Sequence, residues 1–175
     1  MNSKTIKTLV LGAMAAYTFG ALALVSFAEL GILPVQADVV PSPLETTVLS
    51  AVLHASVARH APNGANPLPA SENNLVAGAK LYRQMCARCH GVSSESDNTY
   101  GRSFYPPAPQ FALTRTSYND TEMFWIIKHG IRNTAMPAWG NLLSDDEIWK
   151  IVALLREFNA LPDSVTLELL GHRGK

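Results

Sequence analysis

Charge is scarce in this chain, and it is balanced. Only 16 % of the 175 residues are Asp, Glu, Lys or Arg, and 14 acidic residues stand against 14 basic ones. Without a basic excess there is no electrostatic footprint for nucleic acid. Without an acidic block there is no solvating tail. Cysteine is scarcer still, at two residues, which excludes a disulfide-dense scaffold. The sequence has no run of alternating strands, no internal repeat, no Gly-rich nucleotide loop and no nucleophile–base pair. It therefore offers no site for a small-molecule substrate. The hydrophobic fraction of 47 % rules out a disordered chain. The length suits one ordinary domain with some extra chain.

The extra chain lies first at the N-terminus. Lys4 and Lys7 precede an uncharged run from Thr8 to Ala28, long enough to cross a bilayer core as a helix at about 1.5 Å per residue. Residues 1–37 are expected to form a transmembrane anchor, since the run exceeds the usual apolar stretch of a cleaved signal. Cleavage after Ala28 or Ala37 is the alternative. Both readings export the chain, and the two lysines hold the N-terminus in the cytoplasm. Residues 38–71 read as a linker broken by Pro41, Pro43, Pro62, Pro67 and Pro69, with a short helix near Leu44–His60. Residues 72–162 read as the folded domain, and 163–175 as a tail or a short amphipathic turn.

Within the domain the periodicity predicts three main helices. The first starts near Glu72, with Ser71 as its N-cap and Leu75, Ala79 and Tyr82 on one face. The second runs near Thr121–His129 from Asn119 or Asp120 and stops at Gly130. The third starts at the capping box Ser144-Asp145-Asp146-Glu147, buries Ile148, Ile151, Val152, Leu155 and Phe158, and ends by Pro162. The expected fold class is all-α.

Both cysteines fall in Cys86-Ala87-Arg88-Cys89-His90, the C-x-x-C-H pattern of c-type haem attachment. Two thiols three residues apart at a helix end face one way, so each can form a thioether to a haem vinyl group. His90 then sits under the iron as a ligand. The competing readings are a thioredoxin-like dithiol, which needs a βαβ context, and half a zinc site, which needs further ligands. Haem c, one group bound through Cys86 and Cys89, is the cofactor expected.

Around this motif the chain resembles the class I monohaem c-type cytochromes, in the form also found as the haem subunits of cbb3-type oxidases. The resemblance covers about Leu75 to Leu161. It rests on Gly78-Ala79-Lys80-Leu81-Tyr82, the haem motif with Gly91, Ile127-Lys128-His129-Gly130, Met136-Pro137-Ala138-Trp139, and Leu143 to Trp149. It implies a cytochrome c-like fold with crossed terminal helices, Gly78 and Tyr82 packing against Leu155 and Phe158. It also implies a methionine as second axial ligand, and Met136 fits. His129 is the best nitrogen rival. Met85 and Met123 read as packing. His54, His60 and His172 read as solvated or structural.

The family holds the ligating histidine through a proline carbonyl. In Tyr105-Pro106-Pro107-Ala108-Pro109 the best match is Pro109, then Pro107. Trp139 is expected on the haem edge. Arg102, Arg132 and Trp125 are candidates for the haem propionates, each equally readable as a surface arginine or a core tryptophan. A polar insert, Ser93 to Asn98, departs from the shortest family members and leaves the path around the propionates open.

Haem held by His90 and Met136 has no open iron position, so outer-sphere electron transfer is the expected function. The chain then reads as a tethered, non-enzymatic carrier between redox partner proteins. Its haem domain would lie on the periplasmic side of a bacterial inner membrane, or be soluble in the periplasm if the signal is cleaved. A fixed subunit of a larger oxidase or dehydrogenase is the alternative. A haem sensor or peroxidase would require Met136 to leave.

Overall fold

A computed structural model describes residues 2–32, 34–37, 39–93 and 98–171. Ser94–Asp97 of the polar insert, His172 and the end of the tail lie outside the described residues, as does Asp38. Every regular element among the described residues is helical. The chain divides into two compact units, residues 1–39 and 40–175.

The first unit is essentially helix α1, Ser3–Glu29, which buries no residue within the chain. Two of its three threonines return their hydroxyls to the helix backbone. Thr8 Oγ1 donates to the Lys4 carbonyl at 3.0 Å and Thr18 Oγ1 to the Met14 carbonyl at 2.9 Å. The helix pairs its backbone groups within itself, as a lipid environment demands, and is long and apolar enough to cross a membrane.

The second unit holds the core. Helix α3, Glu72–Met85, buries Leu75, Gly78, Ala79 and Tyr82 along one stripe. Helix α7, Asp145–Glu157, opens on the expected capping box and buries Ile148, Trp149, Ile151, Val152, Ala153 and Leu154. The two cross at Gly78, where a Cβ would strike the Lys150 carbonyl and would lie 3.4 Å from Leu154 Cβ. Gly78 thus meets Leu154 and the Lys150 backbone, not Leu155, which turns instead toward a cleft. Tyr82 does pack edge-on against Phe158, with ring centroids 5.3 Å apart. This crossing gives the all-α, cytochrome c-like arrangement.

Helix α6, Asp120–His129, begins with a second capping box, Asn119 with Glu122. It joins α7 through the stacked rings of Phe124 and Trp149, 4.2 Å apart. Arg156 adds an ion pair to Asp120 and donates to the Tyr118 carbonyl.

Two segments are more ordered than the sequence suggested. Helix α2 runs from Pro43 to His60 and docks on α6. Val57 is 0 % exposed, His54 stacks on Tyr118 at 5.0 Å, and His60 stacks on Trp125 at 6.0 Å. Asn66 Nδ2 then ties the following stretch to the Trp149 carbonyl at 3.0 Å. Most of the expected linker is therefore fixed to the domain. Past Pro162 the chain forms α8, Asp163–Leu170, which buries Val165 and Leu169. Its Glu168 pairs with Arg83 of α3 at 3.0 Å. A docked helix occupies what the sequence left as tail or turn.

Candidate haem site

α3 ends at Met85, and Cys86 serves both as its C-cap and as the start of the one-turn helix α4, Ala87–His90. This junction aims both cysteines and His90 into a single cleft. The cleft has about 1090 Å³ of empty space, part of it open to solvent. Its walls are apolar. Ile126 and Ile127 of α6, Ile151 and Leu155 of α7, and Ile131, Phe104 and Phe111 from loops all line it.

Every site residue expected from the sequence lines this cleft: Cys86, Cys89, His90, Pro109, Met136 and Trp139. Arg102, Arg132, Trp125 and His129 do not. Trp125 instead sits between His60 and His129, and the His129 ring lies 5.1 Å from it. Met85 and Met123, read as packing, do reach the cleft wall, Met123 as a buried residue of α6.

His90 is held by two contacts. Its Nδ1 lies 2.8 Å from the Pro109 carbonyl. A carbonyl oxygen can only accept, so Nδ1 carries the proton and the lone pair of the neutral ring falls on Nε2. Phe111 stacks on the imidazole at 4.9 Å. Burial lowers the His90 pKa from its ordinary value, with the Pro109 carbonyl acting the other way. The net result favours a neutral ring, the form that can ligate a metal. Of the candidate prolines, Pro109 is the one whose carbonyl meets His90.

The cysteines point away from redox chemistry of their own. Burial, helped by the neighbouring Cys89, pushes the Cys86 thiol up to about 12. A reactive dithiol needs a depressed value. Among the described residues no group of three or more His, Cys, Asp or Glu could hold a metal ion, so nothing there supports the zinc reading. A thiol pair stands beside a neutral imidazole in an apolar cleft, and these residues fit haem c.

The Met136 loop is built on Gly130. This glycine has φ +67° and ψ −172°, a region essentially reserved for glycine. A Cβ there would lie 2.7 Å from the Met136 carbonyl oxygen and 2.6 Å from the Pro137 carbonyl carbon. Thr134 Oγ1 accepts from the Met136 N–H at 3.1 Å and donates to the Ile131 carbonyl at 2.8 Å. The Ile131 N–H donates to the Met136 carbonyl at 3.1 Å.

Sequence reasoning missed a second layer. The Cys89 carbonyl accepts from Asn98 Nδ2 at 2.8 Å and from Gln110 Nε2 at 3.0 Å. Gly101 packs directly against that same carbonyl, with no room for a Cβ. Asn98, three residues before Gly101 and a natural cap for a short helix, was the available signal. Nothing local marked Gln110.

Residues 73–155 match the sequence profile of the family described as "Cytochrome C oxidase, cbb3-type, subunit III". A curated relative, cytochrome c550 of Pseudomonas aeruginosa, is 30 % identical over 93 residues. That match covers 50 % of this chain and 59 % of the relative, so the chain spans rather more than half of the relative's length. Residues 73–155 thus resemble the haem domain of cbb3-type oxidase subunits and share sequence with a c-type cytochrome, and the residues lining the cleft fit covalently bound haem c.

Proposed function

We propose that the chain is a membrane-tethered electron carrier, non-enzymatic, with His90 and Met136 as its axial iron ligands. Haem c, when bound, supplies a one-electron Fe(II)/Fe(III) couple. The protein's part is to bind and to shield. The Cys86 and Cys89 thiols lie at one cleft wall, where each can take a thioether link. His90 offers Nε2 because Pro109 engages Nδ1. Met136 offers a neutral, soft sulfur, which favours the ferrous state and raises the potential relative to two nitrogens. The apolar walls keep water from the centre.

The observation that carries this reading is the His90–Pro109 bond in a cleft that Met136 also lines. Met136 is preferred over its rivals by position. Met85 adjoins Cys86 at the end of α3, and Met123 is buried within α6. Met136 is half-buried on a loop whose own hydrogen bonds set its backbone. With both axial positions taken, no substrate can reach the iron.

α1 supports a membrane location, with the two N-terminal lysines in the cytoplasm and the haem domain on the periplasmic side of a bacterial inner membrane. The donor and acceptor are then redox proteins at that membrane. A fixed subunit of a larger oxidase is the second reading, and the match of residues 73–155 to a subunit family favours it.

A reduced-minus-oxidised visible spectrum of the membrane fraction, beside a Met136→Ala variant, tests the first reading. A sharp α-band that becomes CO-sensitive in the variant is expected. An unchanged, CO-insensitive band would assign the position to another residue. Recovery of stable partners in detergent would favour the fixed subunit.

A further inference from the structure

We propose that Gln110 is a positioning residue for His90, acting through Pro109 to set the reduction potential. The inference rests on His90 being an axial ligand. The Gln110 amide has two N–H groups, and both are used. Nε2 donates to the Cys89 carbonyl at 3.0 Å and to the Ala108 carbonyl at 2.8 Å. Its side chain therefore bridges the strap 108–110 to the backbone that carries the second cysteine and leads into His90. Pro109 lies in the middle of that strap and gives its carbonyl to His90 Nδ1 at 2.8 Å. Proline has no N–H, so Pro109 cannot anchor its own peptide by donating a bond. The strap is also held by the Ala108 N–H on the Gly101 carbonyl, 2.9 Å, by the Leu113 and Thr114 N–H groups on the Gln110 carbonyl, 3.0 Å each, and by Phe111 on the His90 ring; the Gln110 side chain is what ties it to the Cys89 backbone. Gln110 closes the circuit from His90 through Pro109 back to Cys89.

A metal-bound histidine gains basicity from the acceptor on its far nitrogen. A short, fixed Nδ1–H···O bond makes the imidazole a better donor and favours the ferric state. Releasing Gln110 frees the Pro109 carbonyl to drift. The bond then weakens, and the potential rises.

A second side chain separates this role from simple capping. Cys89 lies in the last turn of the one-turn helix α4, so its carbonyl has no helical partner. Asn98 donates to the same oxygen at 2.8 Å. Removing Gln110 therefore leaves that oxygen a partner, and removing Asn98 leaves the strap bridged.

The test uses the full-length holoprotein in detergent, as wild type, Gln110→Ala, Gln110→Glu and Asn98→Ala. Gln110→Glu keeps the shape and loses the donors; Gln110→Ala remains informative if the carboxylate is not tolerated beside two carbonyls. Three quantities are read: the reduction potential, the solvent exchange of the His90 Nδ1 proton by NMR of the ferric form, and the denaturation midpoint. Gln110→Ala should shift the potential upward and speed exchange, while Gln110→Glu, whose added negative charge by itself lowers the potential, should speed exchange. Asn98→Ala should lower the midpoint while leaving the potential and the exchange rate in place. Unchanged potential and exchange in the Gln110 variants would overturn the proposal, and so would equal shifts in Asn98→Ala. If His90 ring protons in the wild type carry no hyperfine shift, His90 ligation itself fails, which is a different and separately visible result.

Discussion

Two glycines follow the two ends of the haem site, and both are bound to their backbone region. Gly91, after His90, has φ +70° and ψ 173°, and Gly130, before the Met136 loop, has φ +67° and ψ −172°. A side chain at such an angle costs about 1–3 kcal/mol. At Gly130 a Cβ would also press on the Met136 and Pro137 backbone. Gly130→Ala should therefore displace the loop. The expected result is loss of the near-infrared sulfur-to-iron band of the ferric protein, with a lower denaturation midpoint. A variant that keeps both would show that the contact does not hold Met136. The haem motif was fully legible at this scale, because its chemistry lies in five consecutive residues. The choice of Pro109 over Pro107 came from the family resemblance alone, since it depends on the path of a loop, and it is the Pro109 carbonyl that meets His90. Gln110 was not legible at all, and Asn98 only as a helix cap: their shared partner, the Cys89 carbonyl, is a backbone atom that only tertiary folding brings near.

Among the elements, α7 announced itself by its capping box, which is the one found, while α6 starts at Asn119, one of the two residues expected, in a capping box with Glu122 that the sequence reading did not single out. The capped starts and the stripes of α3 and α7 together made the crossed pair readable. Its exact level was not, and Leu154 took the place expected for Leu155. Gly78→Ala should drive a methyl into the Lys150 carbonyl. Overpacking of this kind costs about 1–3 kcal/mol, measurable as a shift in guanidinium unfolding of the holoprotein. The docking of α2 was hidden for a physical reason. Its contacts mix a valine with two histidine–aromatic stacks, so the docked face has little apolar contrast with the rest of the helix. Val57→Asp would bury a carboxylate without a partner, a strongly unfavourable change. It should undock α2. Limited proteolysis within residues 43–60 would then appear, with the α-band retained; loss of the band as well would make α2 part of the haem cleft's support.

At the scale of the whole molecule, the cleft is a gap left among apolar side chains of α3, α6 and α7. Haem c bound there would fill it, and its binding free energy would become folding free energy. Replacing Cys86 and Cys89 by Ala should abolish accumulation in cells. Any protein recovered should show reduced far-UV helicity for the 72–162 domain. A stable, fully helical product would mean that the core closes without haem.

The docking of α2 also bears on how partners are met. With α1 in a bilayer, only residues 30–42 separate its last residue, Glu29, from Pro43, where the docked helix begins. Even fully extended, a chain of that length reaches no farther than about 45 Å. The haem domain then samples a thin shell above the membrane, and its effective concentration toward anything in that shell is high whatever its amount in the cell. A partner in the same membrane needs little intrinsic affinity to exchange electrons with it. A partner diffusing through the wider compartment gains nothing from the tether and must supply its binding energy through contacts alone.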